Sequence, residues 1–141
     1  MNIRIFNSQT IFRPNRPAIR RLVQTVLNAE HSTHSEVAIY LVSKAKISKL
    51  HEEFFSDPTP TDCISFPIDD EHLGEIFVCP QLAFAYAKKK ELGPKEETAL
   101  YIVHGLLHCL GYDDLTPSDR RTMRKKEKSC MALLKAQHIS V

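Results

Sequence analysis

The chain has 141 residues, enough for one domain with a full core and too few for two. Its apolar fraction of 43% and charged fraction of 26% are those of an ordinary soluble globular protein, and no run approaches the ~18 apolar residues of a membrane span. A formal net charge of +2 permits an RNA or phosphate partner through local patches without implying one.

In chain order, "IRIF" (3–6) predicts a short first strand. Pro17 suits the first turn of a helix, where its missing N–H leaves no bond unmade. Ile19, Leu22, Val23, Val26 and Leu27 then recur at helical spacing up to Glu30. "EVAIYLV" (36–42) is a β-branched run suited to a strand buried on both faces. Ser43 caps a second helix that extends to Phe55 and stops before the Pro58/Pro60 loop. "TDCISFP" (61–67) and "LGEIFVC" (73–79) flank the turn-like "IDDEH" and predict a strand pair. A third helix runs from Pro80 to Glu91, closed by Gly93-Pro94, and a fourth from Glu96 to Leu110, ended by Gly111 in a left-handed conformation. "TPSD" (116–119) supplies an N-cap, a proline at the first helical position and an acid three residues on, opening a last helix that reaches Gln137. With no repeat, low-complexity tract or linker, residues 1–141 are expected to form a single α/β (α+β) domain with a small sheet and five helices.

The N-terminal "MNIRIFNSQTIFRP" has no apolar h-region or cleavage site, so no signal peptide is expected. Cys63, Cys79, Cys109 and Cys130 are widely spaced with no C-x-x-C pair, which favours buried, reduced thiols in a cytosolic protein over disulfides or a thiolate zinc site.

"YIVHGLLHCLGYDDL" (101–115) carries the chemistry. Residues four apart share a helix face, so His104 and His108 can aim at one site, the His-x-x-x-His half of a zinc helix. Gly111 lets the chain turn back, and Asp114 falls where the last ligand of H-x-x-x-H-x-x-G-x-x-H sites falls. His104, His108 and Asp114 are therefore expected to form an open three-ligand metal site. The bland reading is two core histidines beside an acidic loop. A zinc peptidase would carry its general base directly after the first histidine, and that position is Gly105.

The chain resembles the YbeY family of metal-dependent endoribonucleases. "HGLLHCLGYDD" resembles its H-G-x-L-H-x-x-G-Y-D-H, "PTDCISFP" its P-T-D-V-L-S-F-P, "LGEIFVC" its L-G-D-I-x-I, and Met123 with Glu127 its M-x-x-x-E. The resemblance covers most of the chain. It implies a zincin-like fold, one Zn²⁺ per chain, cytoplasmic location, and action on rRNA precursors with small ribosomal subunit components as partners, in rRNA maturation and ribosome quality control. Two positions depart from the pattern: the family's third histidine is Asp114, and its arginine before P-T-D is Phe55. An aspartate ligand makes the site one unit less positive than a third imidazole would, and a phenylalanine cannot neutralise a phosphate. Lys44, Lys46 and Lys49 are candidates to substitute for that arginine.

Glu127 shares a helix face with Met123, Cys130, Met131 and Leu134, where a carboxylate is costly unless paired. It is read either as a partner that orients a metal-ligating imidazole or as half of a structural salt bridge, for instance to Arg124. Asp113 is read as an acceptor beside the ligands, the alternative being that it replaces Asp114 as a ligand. Asp62 and Ser65 are weighed as cleft residues, by the resemblance, against local turn and core hydrogen bonds. The basic runs Arg13/Arg16/Arg20/Arg21, Lys88–Lys90 and Arg120–Lys128 are solvated helix faces or phosphate contacts. His31, His34, His51, His72 and His138 are read as surface or loop residues. The expected function is a zinc endoribonuclease in which zinc polarises a phosphoryl oxygen and activates water while Lys/Arg side chains hold phosphates. The alternatives are a zinc peptidase and a ribosome-assembly binding module with a structural metal.

Overall fold

The structure, a computed structural model, describes residues 1–141. Strand β1 (Asn2–Asn7) leads to helix α1 (Arg16–Ala29), then β2 (Glu36–Leu41) and α2 (Lys44–Phe55). The hairpin β3 (Cys63–Pro67) and β4 (His72–Val78) is followed by α3 (Pro80–Lys90), α4 (Pro94–Cys109) and α5 (Pro117–Ala136). The four strands form one sheet in the order β1-β2-β4-β3, with β1, β2 and β4 parallel and β3 antiparallel on the edge beside β4. This is the mixed α/β fold that the element order predicts.

The local signals explain most boundaries. Ser43 Oγ accepts the Lys46 amide to start α2, and Thr116 Oγ1 accepts the Asp119 amide at 3.0 Å to start α5. Three departures from expectation stand out among one-residue shifts elsewhere. Helix α3 is closed not by Gly93-Pro94 but by Glu91, held left-handed at φ 56° while its amide and that of Leu92 bond carbonyls of the last turn. Gly93 instead precedes α4, which begins at Pro94, two residues earlier than Glu96, because proline fits a first helical position. Strand β3 begins at Cys63, so Thr61 and Asp62 sit outside the ladder.

Alternation in the strands divides the core in two. Ile3, Ile5, Val37, Ile39 and Leu41 join α1, α4 and α5 in the main cluster. A smaller cluster of Val42, Ile47, Leu50, Ile64 and Cys79 lies under α2, beside an aromatic row in which Tyr40 stacks between Phe6 and Phe77. Strand β2 is interior and mostly buried, as its β-branched run suggests. Edge strand β1 is covered: Arg16 and Arg20 donate to the carbonyls of Ile5 and Ile3, so these arginines of the first basic run are structural.

Helix α4 is the buried centre, with Ile102, Val103, Leu106 and Leu107 fully enclosed. It lies so close to β3 and β4 that a Cβ on Gly105 would sit 2.5 Å from Ile76 Cγ2 and 2.8 Å from Cys63 Sγ. Overpacking a tight core costs about 1–3 kcal/mol. Gly105→Ala should therefore lower the unfolding free energy by about that amount in a urea titration. A neutral result would show that α4 can lift from the sheet freely.

Candidate metal centre

The end of α4 builds the site. His104 and His108, one turn apart, are half-buried where the helix meets β3, and both line a cavity of about 500 Å³ with Cys63, Ile64 and Ser65. After Cys109 the chain reverses at Gly111 (φ +103°), with the Tyr112 amide bonded to the Leu107 carbonyl at 3.0 Å. The return loop carries Asp114 back to the imidazoles. Arg120 of α5 fixes that loop, donating to the carbonyls of Asp114 and Leu115 at 3.2 and 3.3 Å.

Three ligand atoms converge. His104 Nε2 is 3.0 Å from His108 Nε2 and 3.7 Å from Asp114 Oδ2, and His108 Nε2 is 3.5 Å from Asp114 Oδ2. Tetrahedral ligation with bonds of about 2.0–2.1 Å sets ligand atoms about 3.3 Å apart, which these distances bracket. Two imidazole nitrogens at 3.0 Å also repel unless a proton or cation lies between them. His104, His108 and Asp114 could thus hold one metal ion.

Glu127, on the buried face of α5, sets the state of His104. Its Oε2 lies 2.7 Å from His104 Nδ1, while Oε1 is 3.7 Å from Arg124 Nη1. With a carboxylate at Nδ1, that nitrogen carries the proton and Nε2 offers its lone pair to the cleft. Burial by itself opposes a charged His104. The hydrogen bond and charge of Glu127, with the charges of Asp62 and Asp114, outweigh it and raise the pKa above the usual value.

Asp113 lines the same cavity without joining the ligand cluster. Asp62 is exposed at the cleft, with only the Thr61 hydroxyl (3.4 Å) on its carboxylate. Ser65 both lines the cavity and donates to the Gly105 carbonyl at 3.2 Å. Phe55 stands at the cavity wall, 55% exposed, and Lys44, Lys46 and Lys49 do not line it.

Two histidines differ from the surface-or-loop expectation. His51 of α2 lines the cavity, its Nδ1 2.7 Å from the Thr59 carbonyl. Its position one helical turn before Phe55 was the available signal. His72 begins β4 and is half-buried against Arg4, their side-chain nitrogens 3.0 Å apart. All four cysteines are free thiols, and burial pushes Cys109 up to about 12.

A family model described as Endoribonuclease YbeY matches residues 4–135. The chain belongs to the endoribonuclease YbeY family. A relative of that name from Protochlamydia amoebophila is 54% identical over 81% of this chain and 80% of its own. One from Chlamydia pneumoniae is 33% identical over 98% of this chain and 94% of its own. The fold is also that of the solution structure of TM1509 from Thermotoga maritima, with a TM-score of 0.70 at 24% identity over 96% of this chain and 90% of that one.

The raised His104 pKa has a signed consequence for the metal-free chain. The contribution is fully present below the unfolded value of about 6.5 and is lost as pH rises through the raised folded value. Glu127→Gln should flatten that part of a stability–pH profile measured by urea unfolding from about pH 5 to pH 8. The same variant should weaken metal retention against a competing chelator by about 10- to 100-fold. Unchanged profile and retention would mean that Glu127 neither charges nor orients His104.

Proposed function

We propose that the chain is a cytoplasmic, zinc-dependent endoribonuclease acting on rRNA precursors, at the 3′ end of the small-subunit RNA, in rRNA maturation and ribosome quality control. The observation that carries the reading is the convergence of His104, His108 and Asp114 at tetrahedral spacing, in a chain of an endoribonuclease family. Two imidazoles and a carboxylate suit zinc, a borderline ion. When bound, zinc supplies Lewis-acid polarisation of a phosphoryl oxygen and lowers the pKa of water.

The side chains divide the remaining work. His104 and His108 would present their Nε2 atoms to the metal, and Glu127 holds the proton of His104 at Nδ1, away from the cleft. Asp114 adds an oxygen and a negative charge, and its loop is tied to α5 through Arg120. Ser65 and Asp62 offer hydrogen-bonding groups along the strand side of the cavity.

Position 105 argues against a peptidase. A glutamate there would have to place its Cβ within 3 Å of Ile76 and Cys63, so the helix has no room for a base at that point.

The test is purified chain with and without chelator, offered structured rRNA fragments and a generic protein substrate. RNA cleavage should require the metal, and His104→Ala/His108→Ala should lose both zinc and cleavage. Asp114→Ala should retain zinc more weakly. Undiminished zinc in the double variant would remove the assigned site, and protein cleavage or metal-independent RNA binding alone would replace the proposed activity.

A further inference from the structure

The ligand cluster is a partition between two cavities. The one described above lies toward β3 and α2. A second, of about 580 Å³, lies between α3, α4 and α5 and shares only Asp62, His104 and Asp114 with the first. That volume is in the range of small-molecule sites.

Its walls differ in character. Arg120 and Arg124 line it from the first turns of α5; Tyr86 of α3 and Leu92, 45% and 53% exposed, line it with Leu100 of α4. Neither arginine is used up. Arg120 spends one terminal nitrogen on two loop carbonyls, and Arg124 is 76% exposed with its nearest carboxylate, Glu127, at 3.7 Å. A guanidinium has five donors in a planar fork that matches a phosphate. The acidic groups here are largely committed: Glu127 to His104, Asp114 to the ligand cluster, and Glu97 to Tyr101, with burial raising the Glu97 pKa and weakening it as an anion. Asp62 is shared with the first cavity.

Cationic side chains on α5 and aromatic and aliphatic ones contributed from α3 and α4, lining one cavity beside the ligand cluster, match the two ends of a nucleotide. We infer that this cavity is a subsite for one nucleotide of unpaired RNA, with Arg120 and Arg124 on the phosphate next to the one cleaved and Tyr86 against its base. The inference rests on the endoribonuclease reading. An unpaired strand suits the site, because its bases reach an aromatic side chain without the cost of breaking a pair.

The test uses zinc-loaded full-length chain and a labelled, 2′-O-methylated single-stranded RNA, its integrity checked on a gel, with anisotropy read across a salt series. Arg120→Ala/Arg124→Ala should lower affinity about tenfold and reduce the log–log salt slope by about 0.7, one single-strand phosphate. Tyr86→Ala should weaken binding about fivefold or more. Arg121→Ala/Lys125→Ala removes the same charge from exposed positions that do not line the cavity, and should change affinity less than about twofold. Because Arg120 also tethers the Asp114 loop, zinc content is measured, and Arg124→Ala alone must still weaken binding. Equal losses in the two double variants, or an unaffected Arg124→Ala or Tyr86→Ala, would overturn the subsite while leaving RNA binding intact. Wild-type chain that binds no RNA at low salt would overturn the endoribonuclease reading along with it.

Discussion

The seating of α4 on β3 and β4 governs the site. Without a side chain at position 105, the helix backbone reaches van der Waals range of Ile76 and Cys63, and Ser65 can donate to the Gly105 carbonyl at 3.2 Å. His104 and His108 flank that contact in sequence, so the imidazoles are fixed relative to the sheet edge and open into the cavity that β3 lines. The opposite side of α4 packs on α5, where Met123, Cys130 and Leu134 are buried around Glu127. The same helix position therefore sets both the ligands and the carboxylate behind them.

Polar groups in so apolar a segment must be compensated, since burying an unpaired charge is costly. Here the compensation is collective. Glu127, Asp62 and Asp114 all favour positive charge at His104, while burial opposes it. Two nitrogens 3.0 Å apart, with carboxylates on two sides, form a locus that a shared cation would satisfy. The three side chains His104, His108 and Asp114 could hold a metal ion there.

Much of this could be read from local chemistry. The spacing of His104 and His108, the reversal at Gly111 and the caps at Ser43 and Thr116 are each set within a few residues, and the structure places them as expected. What escaped depends on contacts distant in sequence. His72 meets Arg4 only because β4 lies in the sheet beside β2, which pairs with β1. Arg16 and Arg20 bind strand carbonyls that no charge pattern announces. Glu91 adopts a left-handed conformation that composition would assign to the glycine two residues on. The two readings of Glu127 could not be separated by sequence, because both its neighbours lie on its own or a packed helix; geometry gives His104 the shorter contact, 2.7 against 3.7 Å.

The aspartate at position 114 changes what the rest of the site must supply. As a ligand, its carboxylate would make the centre less attractive to a phosphate than a third neutral imidazole, and Phe55 brings no charge to the other cavity wall. The cation tied to the return loop is Arg120 of α5, whose guanidinium donates to the backbone carbonyl of Asp114 itself. Asp114 and the cation of Arg120 are thus tied to each other through the backbone. Because α5 also holds Glu127, the helix that orients His104 is the one that fixes the Asp114 loop and bears the free guanidinium groups. The cationic side chains on this side of the ligand cluster, Arg120 and Arg124, are both carried by α5.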